Sequence, residues 1–211
     1  GELEMKLMSQ LGYDAATIGN HDFDNGIEGL TKQLIHARFP MINCNYDFTG
    51  TPMEGKSIPY KIFEKEGIRI GVFGVGIELN GLVDQRLYGN TKYLDPLSRS
   101  LEISSYLKRR KKCSLVICLS HLGHDYKSNK ISDLQLAKQS ENIDLIIGGH
   151  THTFLDEPVK MLNKNGKEIL VTQAGWAGLR LGRIDFYFNR SSGKSGSTTT
   201  TMIDLKKSSE N

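Results

Sequence analysis

Three short polar stretches hold most of the reactive side chains in this sequence: residues 19–24 (GNHDFD), 120–124 (SHLGH) and 148–153 (GGHTHT). Five of the six histidines lie in them. Histidine and carboxylate on separate loops that can converge is how divalent-metal sites are built. In GGHTHT, His150 and His152 are two apart, so an extended backbone would project them to one side, toward one centre or two adjacent ones. The glycines before them let the backbone pass close to a metal or a phosphate. The alternative is a surface histidine pair in a turn, and the stretch taken alone favours the metal. In SHLGH, His121 sits just past a strand, where a metal ligand and a hydrogen-bonded strand-end histidine are equally good readings. His124 fits a supporting or solvent-facing role, and His36, inside a helix, a structural one.

The stretch GNHDFD says most. An asparagine carbonyl is a hard, neutral ligand suited to a metal site that handles phosphate. His21 beside it need not be a ligand. Asp24 comes three residues on, within reach of the ring if the loop turns. A histidine held by a carboxylate has a fixed tautomer and a raised pKa, and it can donate a proton or stabilise negative charge. Capping of the following helix by Asp24 or Asn25 is the simpler account of the carboxylates. It leaves Asn20 and His21 unexplained.

Elements that could position these stretches are legible around them. Leu3, Leu7, Met8 and Leu11 recur at helical spacing before Gly12. Residues 14–19 (DAATIG) read as a buried strand, 26–39 as a helix, and 40–48 as a strand leaving into a turn. Residues 60–76 read as two strands around KEG, a hairpin signal. Residues 81–96 read as a partly helical excursion. Asp95 and Pro96 mark the start of a helix to Lys112. Residues 114–120 read as a buried strand, 132–140 as a helix capped by Ser132, and 143–154 as a strand entering the Gly-Gly loop. Late strands are expected over 167–175 and 178–190, with a final loop and edge strand, or a frayed tail, after them. Helices alternating with strands early and strands clustering late predict an α/β sandwich with a mixed sheet. Each polar stretch then follows an apolar strand at its carboxyl end, where open α/β sheets bind ligands.

Length and composition narrow the function classes. A chain of 211 residues with 38% hydrophobic and 24% charged residues is long enough for a full core. The net charge of +3 is small and scattered, which argues against nucleic acid as a partner. The one basic run, KRRKK at 108–112, reads as the solvated end of a helix. No run approaches the ~20 apolar residues of a membrane span. Cys44, Cys113 and Cys118 form no even set and read as buried thiols. The chain opens on a helix pattern without Met, like a piece cut from a longer protein, so a missing signal peptide says nothing.

Taken in order, GNHDFDNG, SHLGHD and IIGGHTHT resemble the last three metal-site blocks of the calcineurin-like metallophosphoesterases. LGYDAATIGNHDFDNG and DLIIGGHTHT resemble the bacterial 5′-nucleotidase and UDP-sugar hydrolase branch over longer stretches. The resemblance covers about residues 3–190. It implies a four-layer α-β-β-α sandwich, incomplete at the N-terminus, with a truncated catalytic domain over 1–190 and a loop with an edge strand, or a frayed tail, over 191–211. It also implies two divalent ions, whose N/O ligands admit Zn, Mn, Fe, Co or Mg. Carried over by motif, Asn20, His121 and His150 match ligands of one metal and His152 a ligand of the other. His21 matches the non-ligand catalytic histidine and Asp24 its carboxylate partner, with Asn20 and His21 also facing the substrate phosphate. Asp22 matches a position that is often acidic without being a ligand.

The family's two earlier blocks, Asp-x-His and Gly-Asp, have no match here, and D-x-H occurs nowhere in the chain. The second metal would keep only His152. The expectation is that this stretch alone binds metal weakly and turns over little or nothing. The resemblance implies hydrolysis of nucleoside 5′-monophosphates, with a cyclic nucleotide, a nucleotide sugar or a sulfur-oxidation intermediate as alternative substrates. A non-catalytic binding module that keeps the fold is the alternative of another class. The tail after Arg190 has no room for a nucleoside-binding domain, so a separate C-terminal domain or chain is expected to supply one. The resemblance also implies a periplasmic or cell-surface location.

Overall fold

The structure is a computed structural model in which residues 1–189 and 195–204 are described. In chain order, α1 spans Glu2–Leu11, α2 Gly26–Gln33, β1 Tyr46–Asp47, β2 Tyr60–Lys65 and β3 Ile68–Gly76. Then come α3 at Gln85–Tyr88, β4 at Lys92–Tyr93, α4 at Pro96–Ser105, β5 at Leu115–His121 and α5 at Asp133–Gln139. Five strands close the order: β6 Leu145–Ile147, β7 Val159–Leu162, β8 Glu168–Thr172, β9 Arg180–Phe188 and β10 Ser195–Asp204.

Six strands form one mixed sheet in the order β2-β3-β5-β6-β8-β7. The inner four, β3, β5, β6 and β8, run parallel, and β2 and β7 pair antiparallel at the edges. All four inner strands therefore present their carboxyl ends on one side. The β2–β3 hairpin turns through Glu66 and Gly67, both at positive φ (49° and 78°), which matches the twist of the flanking strands. Separately, β9 pairs with β10, and β1 with β4.

Alternation along β5 splits the sheet into two faces. Val116 and Cys118 join Leu107, Leu136 and Ile146 in a buried cluster beneath α4 and α5. Leu115 and Ile117 point the other way and, with Ile147 and Phe186, line a cavity of about 670 Å³ under the β9–β10 hairpin. A second buried cluster, with Met5, Ile18, Phe23, Ile27 and Met41, gathers α1, α2 and the segments between them. The helix starts follow the sequence. Asp95 Oδ2 accepts a hydrogen bond from Ser98 N at 2.7 Å, and the Ser132 hydroxyl accepts one from Gln135 N at 3.3 Å. All three cysteines are free and buried. No helix among the described residues is long and apolar enough to cross a membrane.

Several elements differ from expectation. Residues 14–19 and 40–44 make isolated bridges rather than strands, because 40–44 divides its hydrogen bonds among three partners. Ile42 N donates to Ala16 O (2.7 Å), Asn43 N to Ile58 O (2.9 Å) and Cys44 N to Gly74 O (2.8 Å). The chains pass so closely there that a Cβ on Gly74 would fall 1.8 Å from Ile42 O. After Gln33 the helix tightens into a 3₁₀ turn over Leu34–His36. Beyond Ser105, α4 widens into a π-helical turn over Tyr106–Arg110, and its Lys108 is paired with Asp144 at 2.8 Å instead of solvated. The short edge strand β7, behind Pro158, has no counterpart in the sequence reading.

Candidate metal centre

The loops after β5 and β6 leave the sheet from neighbouring parallel strands at their carboxyl ends, and the loop at 19–24 comes over them. His121 is the last residue of β5, and its parity turns it away from the helix-covered face. Its ring lies directly under Gly19, where a Cβ would sit 2.6 Å from Cε1 and Nε2. Glycine is thus what lets the first loop close over the second.

Asn20, buried at 6% exposure, is the meeting point. Its Oδ1 lies 3.1 Å from His121 Nε2 and 3.0 Å from His150 Nδ1. The two imidazoles meet edge to face, with ring centroids 5.3 Å apart. These atoms come from segments 101 and 130 residues apart in sequence. Burial pushes the His121 pKa down to about 4, and the neighbouring His150, His21 and His152 add to the effect. The His150 pKa is lowered by burial, then by Lys130 and the other histidines. Both rings are therefore held neutral at pH 7, the state in which a ring nitrogen offers a lone pair.

His21 stays outside this corner. Its side chain is 75% exposed, and its Nδ1 lies 3.0 Å from Asp24 Oδ2. Neither Asp24 nor Asn25 caps α2 through its side chain. Asp22 has a different task, accepting a hydrogen bond from Gly19 N at 2.7 Å, which ties the turn that carries Asn20. His152 lies against the indole of Trp176, nearly parallel at 15° and with centroids 5.9 Å apart. His150 and His152 are not extended, as the spacing argument assumed. Both lie in the left-handed region, with φ of 70° and 54°. His124 is half-buried with its Nδ1 unpartnered, and His36 packs near α1, where its carbonyl accepts from the Ser9 hydroxyl.

One amide oxygen and two neutral imidazole nitrogens form a donor set that suits a divalent ion of borderline hardness. In this structure the same atoms are joined by hydrogen bonds. Among the described residues, no three histidine, cysteine, aspartate or glutamate side chains cluster closely enough to hold an ion. The corner therefore depends on the Asn20 amide, and it fits one ion.

A family model for calcineurin-like phosphoesterases matches residues 2–154. The chain belongs to that family. The chain is 33% identical over 234 residues to a 5′-nucleotidase of Vibrio cholerae, a match that covers 99% of the chain and 41% of the relative. An apyrase of Tabanus yao is 32% identical over 197 residues, covering 86% of the chain and 34% of the relative. A 5′-nucleotidase precursor from Thermus thermophilus has a crystal structure that superposes with a TM-score of 0.85 at 27% identity, over 95% of this chain and 40% of that one. The chain thus spans about a third to two fifths of the length of these relatives. The mixed α/β fold with its central mixed sheet is that of the family.

The sequence reading passed over Gln173, which sits just past the end of β8 and is 1% exposed. Its signal is a lone amide directly after an apolar strand, in ILVTQAG.

Proposed function

We propose that the chain carries the metal-holding core of a phosphoester hydrolase that acts on nucleoside 5′-monophosphates. The observation behind this reading is the convergence of Asn20, His121 and His150 on one point, beside an exposed His21–Asp24 pair. Asn20, His121 and His150 would hold one divalent ion, and His152 would contribute to a second. Ions held there supply positive charge for the phosphoryl oxygens and lower the pKa of water toward neutrality.

The chain's own residues do the rest. The Asn20 amide and the His21 ring hydrogen-bond phosphoryl oxygens as negative charge develops on them. Asp24 accepts from His21 Nδ1 and orients the ring, so that in its imidazolium form the Nε2–H is directed at substrate. Water adds to phosphorus, the ester P–O bond breaks, and the Nε2 proton passes to the departing 5′-oxygen. Exposure of the His21 ring lets solvent return that proton. The nucleotide class is supported by the 5′-nucleotidase relatives. Because those relatives are longer, we assign base recognition to a further domain or chain, and by family resemblance we assign the protein to the periplasm or cell surface.

The test compares two substitutions in the protein as its gene encodes it, with AMP as substrate and Mn²⁺ as metal. His21→Ala should lower turnover by roughly 10²-fold or more with metal content retained. His150→Ala should lose metal. Loss of metal in His21→Ala, or full metal content in His150→Ala, would reverse the assignment of roles.

A further inference from the structure

The loop at 148–153 turns the chain from parallel pairing with β8 to antiparallel pairing with the residues just past it. Before the excursion, Gly148 N donates to Thr172 O at 2.7 Å. After it, Leu155 N donates to Gln173 O at 3.3 Å and Gly175 N to Thr153 O at 2.9 Å. In between, the chain bulges outward with His150 and His152, and main-chain pairing with the sheet is interrupted. One side chain fills the gap. Gln173 Nε2 donates to Gly149 O at 2.7 Å, and Gln173 Oε1 accepts from Thr153 N and from the Thr151 hydroxyl, the latter at 3.2 Å. The Thr151 hydroxyl oxygen also accepts from His124 N at 2.9 Å, which joins the loop after β5 to the same hub.

We propose that Gln173 is a positioning residue: its buried amide bridges the turn where main-chain pairing changes from parallel to antiparallel, and it holds the segment that carries His150 and His152. The arrangement has a clear need for such a clamp. Few non-glycine residues adopt the left-handed conformation, and both histidines here do so within three residues. A backbone in that region persists only where its surroundings fix it. The amide grips the bulge on both sides, at Gly149 before the first histidine and at Thr153 after the second. It touches neither ring, so it acts through the backbone. Neither an apolar residue of the same size nor a carboxylate can reproduce one donor and one acceptor at these two points.

This inference rests on the ligand roles proposed for His150 and His152, and His150→Ala serves as the control for that reading. In the full chain, Gln173→Met keeps the volume and removes all three hydrogen bonds. Gln173→Glu keeps an acceptor for Thr153 N but has no donor for Gly149 O. Mn²⁺ affinity measured by calorimetry should fall by roughly 10- to 100-fold in Gln173→Met and by less in Gln173→Glu, the range for partners that orient metal ligands. Trp176 is the only tryptophan and lies against His152. Its emission in the metal-free protein should therefore shift in Gln173→Met. Wild-type Mn²⁺ affinity and emission in both variants, alongside lost metal in His150→Ala, would overturn the clamp and leave the ligand roles standing. A wild-type measurement covers the case in which the variants do not fold. Amide hydrogen exchange at Thr153 should be slow with metal chelated, and fast exchange there that slows only when Mn²⁺ is added would also overturn the proposal.

Discussion

Asp133 shows how much a single residue can hide inside a helix start. In sequence it follows Ser132, an obvious cap, and reads as an acidic residue suited to the first turn. In the fold it is fully buried. Its Oδ1 accepts from the Ser120 hydroxyl at 2.5 Å, and its Oδ2 has no partner. That bare oxygen lies where a Cβ on Gly148 would come within 2.1 Å. Burial pushes the Asp133 pKa up to about 7, and the Ser120 hydrogen bond only partly offsets this. The fold therefore favours the protonated acid. That contribution is fully present below the ordinary value of 3.8 and is lost as pH rises through about 7. His121, with its lowered pKa, works in the opposite direction, so only a difference between proteins isolates Asp133. We expect Asp133→Asn to gain on the wild type by a few kcal/mol, order of magnitude, between pH 4 and pH 8. Urea midpoints at the two pH values check this, and parallel pH profiles would contradict it. Asn20, His121 and His150 were legible because their types and strand-end positions carry the signal. Asp133 and Gln173 were not, because their importance comes from what folds over them.

Elements were legible where one partner satisfies them. The β2–β3 hairpin, α4 and α5 are local structures whose turns and caps lie within a few residues. The segments at 14–19 and 40–48 read as strands because they are apolar and short, yet the hydrogen bonds of 40–44 scatter over several partners. No periodicity in a single sequence encodes that choice, which depends on how closely Ile42 approaches Gly74. The loop at 19–24 works in a similar way, since Gly19 is defined by the His121 ring above which it sits. Its φ of −106° suits alanine, so the backbone would accept one. The obstacle is the ring, 2.6 Å from the new Cβ. Gly19→Ala should push the His121 ring aside, weaken Mn²⁺ binding on the order of 10-fold, and cost about 1–3 kcal/mol of stability as overpacking. Calorimetric titration with Mn²⁺ reads the first effect, and wild-type affinity in the variant would mean that the loop, not the ring, gives way.

At the scale of the molecule, the site is also a cross-link. His121 and His150 lie 101 and 130 residues from Asn20 in sequence, and the fold brings the three to one point. An ion held by all three binds the folded chain and has no comparable site in the unfolded one, so binding adds directly to stability. At a Mn²⁺ concentration of 100 times Kd the gain is about 2.7 kcal/mol. For a chain of this length, 1 kcal/mol moves the melting temperature by about 2–4 °C, so a rise of roughly 5–10 °C is expected. His21→Ala should keep that rise, since its ring stands outside the corner. His150→Ala should lose most of it, and a chelator should reverse it in the wild type. Calorimetric melting with and without Mn²⁺ distinguishes these cases. An equal rise in His150→Ala would place the stabilising ion elsewhere on the molecule and sever the link between the fold's long-range closure and its metal site.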